Sequence, residues 1–429
     1  MSSELVTALT GKSVALWGAR MTGLGALRKL SSKQVDIKCF IDSDPSLHGR
    51  VLLGKKVISP KEALFFFEKG QFSAIVITAI LKSEDIKASI RELFGAETPI
   101  TILEYGSAET PSYTIDIMGA CNLRCGSCPH SIHDHGVPKG SMSFDTFEKV
   151  LFKAISEQPA LSHVSLYSWG DPFLHPHLPK FIKAAHDRSL AVAVSTNLSI
   201  NLDGRFEEIV DANPDYLKIS VSGFSQRVYE TTHQGGDVSL VKSNIYKLRH
   251  LMDKRKKSFL VDINYHLYKN NTGEELARFK DLATELGFVL SETYALVMPL
   301  ERVISYLDGE PDFLTSKLND DLLLVSIDEG IDISGGRKLG ARECTYLTNQ
   351  VNINADLSVP LCCLTFERSP STIVSDNYLD SSPEGILRSK KVMKLCERCQ
   401  SEGLPEYNLG FNAADWRAVA DSKISREIV

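Results

Sequence analysis

The sequence of 429 residues lacks an apolar run that approaches the roughly 18 residues needed to span a membrane. It also lacks a beginning in which basic residues precede an apolar stretch, the pattern of a secretory signal. Neither a membrane protein nor a secreted protein is therefore expected, and the sequence predicts a cytoplasmic location.

Positive charge is not in excess either. The formal net charge is −6 and the sequence pI is near 6.0. Because nucleic-acid binding depends on basic contacts to phosphates, no nucleic-acid partner is expected. Residues 254–257, Lys-Arg-Lys-Lys, form a dense basic run, which we interpret as a solvated helix end, with a phosphate or partner site as the alternative.

Isolated cysteines are nearly absent, since eight of the nine fall within residues 121–128 and 344–399 and only Cys39 stands apart. Disulfides are rare in a reducing cytosol, so grouped cysteines there more often bind metal. Hydrophobic residues at 43% and charged residues at 24% indicate a globular enzyme. At about 150 residues per domain, the length predicts two to four domains.

The first cysteine group, Cys-Asn-Leu-Arg-Cys-Gly-Ser-Cys, places three thiols at Cys121, Cys125 and Cys128. Three thiols leave a tetrahedral zinc site one ligand short. They suit an iron–sulfur cluster with one open iron, because thiolates are the usual protein ligands of such clusters. The alternative is a chance group of buried or zinc-bound cysteines.

This C-x3-C-x2-C loop resembles that of the radical S-adenosylmethionine (radical SAM) superfamily. The resemblance implies a [4Fe-4S] cluster on the three cysteines, SAM bound at the fourth iron, and reductive cleavage of SAM to a 5′-deoxyadenosyl radical. Flavodoxin or ferredoxin is the implied reductant. The residue before the third cysteine is usually aromatic in the family, and here it is Ser127.

Apolar segments alternate with helical ones from residue 112 to about residue 300, which predicts parallel β/α units. Six segments are predicted strands: 113–117, 162–167, 190–194, 216–221, 260–267 and 289–298. The resemblance implies that they form a partial (β/α)6 TIM-like barrel. Catalytic groups of such barrels lie at the carboxyl ends of the strands, and the cysteine loop directly follows the first strand.

The loop after the second strand contains Trp-Gly-Asp-Pro. It resembles the G-G-E-P motif of the family, which meets the amino group of SAM. Gly170, Asp171 and Pro172 are therefore predicted to bind SAM, with a shorter carboxylate than the family's glutamate. An ordinary Gly-Asp-Pro turn is the alternative.

The third and fourth strands end in polar residues that resemble further SAM-binding positions. Ser195, Asn197 and Ser220 are predicted to contact the ribose and methionyl parts of SAM, because hydroxyl and amide groups both donate and accept hydrogen bonds. No residue stands out as a catalytic acid or base.

Short apolar strands also alternate with helical segments before residue 108, which predicts a Rossmann-like sheet. Gly18 and Gly23 stand at dinucleotide-fingerprint positions and Asp42 follows about 20 residues later, but Arg20 replaces the middle glycine. The region resembles small Rossmann-like domains attached to sugar-modifying enzymes and sugar methyltransferases. Nucleotide or substrate binding and a docking role are both open.

The second cysteine group contains Cys344, Cys362, Cys363, Cys396 and Cys399. It resembles the SPASM/Twitch extensions of radical SAM enzymes. The resemblance implies one auxiliary [4Fe-4S] cluster on Cys344, Cys362, Cys396 and Cys399, while Cys363 points to the other face because adjacent strand residues alternate. Zinc held by four cysteines is the alternative.

A fully ligated auxiliary cluster suggests an electron acceptor, and the arrangement resembles Twitch-bearing radical SAM dehydrogenases of aminocyclitols. The hypothesis is the radical oxidation of a small polar substrate, such as a sugar or an aminocyclitol. The alternatives are a peptide-modifying enzyme, a redox-neutral epimerase or decarboxylase, and a non-enzymatic iron–sulfur regulatory protein.

The predicted fold is α/β throughout. A Rossmann-like domain at 1–108 precedes the partial barrel at 109–300 and a connecting segment at 301–342. A small Twitch/SPASM-like domain with a hairpin and helices follows at 343–405, and a tail at 406–429 is expected to pack back through its aromatic residues. The oligomeric state has no signal in the sequence.

Overall fold

The computed structural model describes residues 3–95, 98–107, 110–131, 140–335, 344–409 and 413–427. Two largely parallel sheets, of six and seven strands, dominate this part of the chain. No helix within it is both long and apolar enough to cross a bilayer.

The first sheet is a Rossmann-type sheet. Its strands are Ser13–Trp17 (β1), Asp36–Ile41 (β2), Val51–Leu52 (β3), Lys55–Ile58 (β4), Ala74–Ile77 (β5) and Thr101–Glu104 (β6), and its helices are Ser3–Leu9 (α1), Met21–Ser31 (α2), Pro60–Glu68 (α3) and Ser83–Phe94 (α4). The order is β3-β4-β2-β1-β5-β6, and only β3 with β4 is antiparallel. The strand order reverses between β1 and β5, which is the switch point of such sheets.

The second sheet contains the six predicted barrel strands. They are Ser112–Ile115 (β7), His163–Ser165 (β8), Ala191–Thr196 (β9), Tyr216–Val221 (β10), Leu260–Leu267 (β11) and Val289–Tyr294 (β12). The helices between them are Phe144–Glu157 (α5), Leu178–His186 (α6), Arg205–Ala212 (α7), Gln226–Tyr229 (α8), Val238–Lys254 (α9) and Glu274–Glu285 (α10). All neighbouring strands are parallel and the sheet does not close, so the predicted partial barrel is confirmed.

The two faces of this sheet differ in polarity, because side chains alternate along each strand. In β10, the residues Leu217, Ile219 and Val221 are buried in the core that the sheet shares with its helices. The alternate residues Lys218 and Ser220 are only half buried. The open barrel therefore carries polar side chains on the face that its helices do not cover.

The remaining part of the chain supplies a seventh strand. Gln350–Ile353 (β13) pairs in parallel with β7 on the edge opposite β12. The later elements are helices Leu300–Leu307 (α11), Phe313–Lys317 (α12), Ile327–Gly335 (α13), Thr345–Thr348 (α14), Pro383–Lys391 (α15), Lys394–Ser401 (α16), Leu404–Leu409 (α17) and Ala413–Glu427 (α18), and strands Val359–Pro360 (β14) and Ile373–Ser375 (β15). The second cysteine group is thus attached to the barrel sheet itself.

The chain reverses after β13, where a hairpin is predicted. Asn354 donates its backbone N–H to the carbonyl oxygen of Ser358 at 2.9 Å, and Leu357 adopts a φ of 72°. A left-handed conformation of this kind usually belongs to glycine. The ladder that follows joins β14 to β15.

The tail packs on the barrel through Trp416. This residue is 2% exposed, and its ring centroid lies 5.5 Å from that of Tyr294 and 5.8 Å from that of Tyr407. The expected packing of the tail is seen for this side chain, whereas Phe411 lies outside the described residues.

The Rossmann sheet docks on the amino ends of the barrel strands through α2. Arg28 donates to the buried carboxylate of Asp215 at 2.7 Å, just before β10. A Cβ atom on Gly25 would lie 2.1 Å from the carbonyl oxygen of Ser162, so only glycine allows this approach of α2 to β8. The apolar core of the first sheet continues into Leu260 at the start of β11.

The fingerprint loop between β1 and α2 makes contacts within the protein. The Ala19 N–H donates to the Asp42 carboxylate at 2.8 Å. Arg20 donates to Asp44 at 2.7 Å and its guanidinium lies 3.6 Å from Asp262 in β11. Because these groups stand where a pyrophosphate would be bound in a dinucleotide fingerprint, the contacts favour the docking role for this loop.

Candidate functional site

The first cysteine loop leaves the carboxyl end of β7, where the predicted site lies. The Cys128 N–H donates to the carbonyl oxygen of Cys125 at 2.8 Å, and the Leu123 N–H donates to the Cys121 sulfur at 3.5 Å. The loop is therefore a tight turn with one backbone N–H already directed at a sulfur, as is usual around iron–sulfur ligands.

The three thiols of this loop are poor thiolates on their own. Burial raises the pKa of Cys121 to about 11 and that of Cys128 to about 12, and it raises the pKa of Cys125 well above its ordinary value. Thiolates at this depth need a compensating positive charge, which iron supplies. The donor set therefore fits a cationic cluster.

Among the described residues, no three His, Cys, Asp or Glu side chains converge closely enough to hold a single metal ion. A tetrahedral zinc ion would draw its sulfurs to about 2.3 Å from one point. Ligands of a [4Fe-4S] cluster instead bind separate irons.

The Trp-Gly-Asp-Pro turn packs directly against the start of the cysteine loop. A Cβ atom on Gly170 would lie 1.6 Å from the carbonyl oxygen of Met118, so a side chain has no room there. The Asp171 N–H donates to the carbonyl oxygen of Ala120 at 2.9 Å, and Pro172 begins the following turn. The structure thus brings the predicted motif next to Cys121.

The Asp171 carboxylate joins this turn to the third barrel strand. It accepts hydrogen bonds from Phe173 N at 3.0 Å, Thr196 Oγ1 at 2.9 Å, and both Asn197 N at 2.9 Å and Asn197 Nδ2 at 2.8 Å. Burial raises the pKa of Asp171 to about 6. Asp171 therefore orients Asn197, and the predicted direct contact with SAM stays a prediction.

Asn197 in turn contacts the cysteine loop. Its Nδ2 donates to Asn122 Oδ1 at 2.9 Å and lies 3.7 Å from the Cys121 sulfur. Asn122 donates from its own side chain to the carbonyl oxygen of Ser199 at 2.8 Å. Asn122 was missed from the sequence, because its role depends on a partner 75 residues away.

Ser195 and Ser220 lie on the polar face of the sheet, in β9 and β10. Ser195 is in register with Lys218, and Ser220 is in register with Asn264 of β11. Both serines are half buried. They therefore lie on the open face of the sheet, and their contact with SAM stays a prediction.

A buried arginine holds the cysteine loop from the opposite side. Arg302 in α11 is 5% exposed, and its Nη1 donates to the carbonyl oxygens of Gly126 and Met298, each at 3.0 Å. Its Nε donates to Thr315 Oγ1 at 2.9 Å and lies 3.2 Å from Asp312. No local pattern could have revealed this residue, since Gly126 is 176 residues away.

The second cysteine group surrounds one small apolar cavity. Cys344, Cys362, Cys396 and Cys399 line it, whereas the lining does not include Cys363. The Cys363 thiol instead lies beside the side chain of Gln350, at the start of β13. The structure therefore brings together the four thiols that the sequence groups as one ligand set.

A buried lysine accompanies these thiols. Lys390 in α15 is 1% exposed, and its Nζ donates to the carbonyl oxygen of Gln350 at 2.6 Å. Burial lowers the pKa of Lys390, and nearby Cys362 and Cys363 oppose that change. An ammonium in this position favours negative charge on the sulfurs.

The two cysteine sites meet through an aromatic contact. Trp169 Nε1 donates to the carbonyl oxygen of Thr365, and its ring centroid lies 5.7 Å from that of Phe366. His130, two residues after Cys128, packs on the same Phe366 ring at 5.7 Å. The Trp-Gly-Asp-Pro turn and the segment after Cys362 are therefore in direct contact.

An open parallel β/α barrel, with a three-cysteine loop at the carboxyl end of its first strand, defines a class of iron–sulfur enzyme. The sequence profile of the radical SAM superfamily matches residues 115–283, which include all three cysteines of the loop. This part of the chain is therefore a radical SAM domain. The cofactors of this domain are a [4Fe-4S] cluster and SAM.

The relatives have low sequence identity to this chain, and each match covers only part of either protein. The chain is 26% identical over 168 residues to the tungsten-containing aldehyde ferredoxin oxidoreductase cofactor-modifying protein of Pyrococcus furiosus. The aligned region covers 38% of this chain and 46% of that protein. It is 23% identical over 206 residues to a probable GTP 3′,8-cyclase of Methanococcus maripaludis, covering 47% and 65%. The chain thus matches about half to two thirds of the length of these relatives.

Among solved structures, Streptococcus suis SuiB bound to S-adenosylmethionine aligns with a TM-score of 0.45 and 13% identity, over 80% of this chain and 84% of that one.

Proposed function

We propose that this radical SAM enzyme removes a hydrogen atom from a small polar substrate, a sugar or an aminocyclitol, and oxidises it as a dehydrogenase. The substrate radical that remains then loses a proton to solvent and one electron to give the oxidised product. Cys344, Cys362, Cys396 and Cys399 would hold an auxiliary [4Fe-4S] cluster, which would supply the electron acceptor. Flavodoxin or ferredoxin supplies the electron for SAM cleavage, and the enzyme works in the cytoplasm.

The observation that carries the proposal is the cavity lined by the four cysteines of the second group. Four cysteines would leave no iron of a cluster open for SAM or substrate. A group held in this way supplies electron transfer rather than substrate binding. Lys390 and the apolar lining support the assignment, because a buried positive charge favours the reduced form of a cluster.

The residues around the first loop have separate tasks in this proposal. Cys121, Cys125 and Cys128 hold the SAM-cleaving cluster. Asp171 fixes Asn197 beside Cys121, and Gly170 lets the turn approach the loop. SAM would then extend from this turn along the polar face, past Ser195 and Ser220.

The same face of the sheet supports the proposed substrate class. Asn264 Nδ2 donates to Thr293 Oγ1 at 2.9 Å, and His266 Nε2 lies 2.8 Å from Asn264 Oδ1. Lys218 lies beside these groups in the next strand. Such a surface offers hydrogen-bond donors and acceptors to a hydroxylated substrate and little apolar area to a hydrophobic one.

Reconstitution under anaerobic conditions tests the proposal. Wild-type protein should hold about eight irons, and the triple alanine variant of Cys121, Cys125 and Cys128 should hold about four and form no 5′-deoxyadenosine. Cys362→Ala should also lose about four irons but still cleave SAM. Cys363→Ala is the matched control and should keep both clusters.

Product analysis separates the dehydrogenase from its alternatives. Reduced enzyme with SAM should convert a sugar or aminocyclitol to a product two electrons more oxidised, with one deoxyadenosine per turnover. Zinc in the second site, or deoxyadenosine formation with only isomerised or decarboxylated product, would refute the oxidation.

A further inference from the structure

A lysine lies on the polar face of the open barrel. Lys218 is half buried in β10 and is in register with Ser195 of β9. Its ammonium group lies 5.3 Å from the centroid of the Tyr167 ring. Tyr167 follows β8 and stands two residues before Trp169, which begins the Trp-Gly-Asp-Pro turn. The positive charge is therefore at the end of the barrel that carries the cysteine loop.

The lysine side chain leans away from the carboxylate on the neighbouring strand. The strand order is β11-β10-β9-β8, so Tyr167 lies on one side of Lys218 and Asp262 of β11 lies on the other. Asp262 is 2% exposed, and its Oδ2 accepts hydrogen bonds from the Tyr216 hydroxyl at 2.6 Å and from Ser291 Oγ at 3.0 Å. The carboxylate is thus bonded to other groups, and the ammonium group points across β9.

The ammonium group has unused hydrogen-bonding capacity. Among the residues that the structure describes, Lys218 forms no ion pair and no side-chain hydrogen bond. An aromatic ring attracts an ammonium group but supplies no oxygen acceptor for its three N–H donors. A half-buried positive charge favours an anion in the same space, because the low-dielectric walls strengthen their attraction.

The half-buried groups near Lys218 in the described strands are neutral. Burial, and after it the charge of Lys218, lowers the pKa of His266 to about 4, so its imidazole carries no charge near pH 7. Ser195, Ser220 and Asn264 offer hydroxyl and amide groups and are also half buried. A ligand that matches this face carries an acidic group beside several hydroxyl groups.

We propose that Lys218 binds an acidic group of the substrate, a carboxylate or a phosphate, and that the substrate is an acidic or phosphorylated sugar rather than an aminocyclitol. Both groups accept charge-assisted hydrogen bonds from an ammonium group. The inference rests on the proposed function and narrows its substrate class. The carboxylate of SAM is the other source of such a group, and the experiment separates the two sources.

Calorimetry of the reconstituted full chain, under anaerobic conditions and with SAM present, tests the proposal. Glucuronate or glucose 6-phosphate should bind at least about tenfold more tightly than glucose. Lys218→Met should remove this difference, and Lys218→Arg, which keeps the charge, should retain it. The affinity for SAM should stay within about twofold of wild type in both variants.

Lys247→Met is the matched control. The ammonium group of Lys247 also lies over an aromatic ring, that of Phe206 at 5.9 Å, but this lysine is exposed on α9. The variant should bind every probe as wild type does. Equal affinity for the acidic sugars and glucose, or binding of neither acidic sugar, would overturn the proposal. So would a Lys218→Met variant that binds SAM at least about tenfold more weakly and the acidic sugars unchanged.

A double-mutant cycle separates ligand binding from a balance of charge within the protein. If Lys218 served to balance Asp262, the melting temperature that Lys218→Met lost would be restored by Asp262→Asn, and this result would overturn the proposal. We expect the changes in melting temperature to add instead. Because binding is measured without turnover, acidic sugars that bind through Lys218 but are not oxidised would refute the dehydrogenase function and leave this inference standing.

Discussion

Replacing Arg302 by methionine tests how the cysteine loop is held. The guanidinium donates to the buried carbonyl oxygen of Gly126, to the partly buried carbonyl oxygen of Met298 and to Thr315 Oγ1. Methionine keeps most of the volume but leaves both carbonyls without this donor. Hydrogen bonds to a charged group contribute about 1.5–3 kcal/mol each, so two of them are worth about 3–6 kcal/mol.

Two effects reduce the loss of stability that follows from these two hydrogen bonds. Asp312, which loses its partner, is 37% exposed and can be hydrated. The Nη2 atom of Arg302 is buried and has no partner among the described residues, so removing it relieves a desolvation cost. We therefore expect Arg302→Met to lower the free energy of unfolding by about 3–4 kcal/mol, within the range for breaking a buried charged pair.

The assay is urea unfolding of the cluster-free protein, monitored by tryptophan fluorescence. A Trp17→Phe background removes the signal of the first sheet and leaves Trp169 and Trp416, both in contact with the barrel. Arg398→Met is the matched control, because Arg398 pairs at the surface with Asp308 and should contribute less than about 1 kcal/mol.

The same variant has a second readout, the iron retained by the first cluster after reconstitution. Arg302→Met should lose iron faster than the Arg398→Met control, because the Gly126 carbonyl no longer fixes the loop between Cys125 and Cys128. Unfolding within about 1 kcal/mol of wild type, together with unchanged iron retention, would show that Arg302 does not hold the loop.

Three further predictions concern the site. Gly170→Ala should prevent correct folding of the turn and abolish cluster retention, whereas Gly126→Ala, whose Cβ would meet only leucine side chains at 3.6 Å, should be tolerated when iron content is measured. Cys362→Ser should lose the electron paramagnetic resonance signal of the auxiliary cluster and Cys363→Ser should keep it; equal loss in both would refute the ligand assignment. Burial raises the pKa of Glu301 to about 7, so its contribution to stability is full below about pH 4.5 and is lost as the pH rises through 7, by up to about 3 kcal/mol. Glu301→Gln should remove that part of the pH dependence of urea unfolding, and an unchanged profile would contradict the shift.

Much of the fold was predictable because its signals are local. The six barrel strands alternate or concentrate apolar residues, and each precedes a helical segment, so their order and parallel pairing follow from the sequence. The Rossmann-type sheet was predictable for the same reason. The seventh strand was not: Gln350–Ile353 is short, and it pairs with residues more than 230 positions earlier.

In the candidate site, too, local features could be predicted from the sequence and long-range contacts could not. Spacing alone groups the proposed ligands of the first cluster, because Cys121, Cys125 and Cys128 are close in sequence. The second set, from Cys344 to Cys399, was grouped by its resemblance to a family pattern. Asn122 contacts a residue 75 positions away and Arg302 contacts one 176 positions away. No sequence pattern predicts contacts over such separations. The motif that contains Asp171 was found in the sequence. The four hydrogen bonds that its carboxylate accepts within the protein could not be predicted.

The contact between the two cysteine sites has a consequence for how they work together. Glu301 accepts hydrogen bonds from the backbone N–H groups of Phe366 and Glu367, at 2.9 and 3.1 Å, one residue before the arginine that holds the first loop. Helix α11 is therefore hydrogen-bonded to both the cysteine loop and the segment that follows Cys362. Because one helix contacts both segments, a change in the distance between the two sites would have to break these hydrogen bonds. In the proposed function, this arrangement would keep the geometry for electron transfer between the two sites constant.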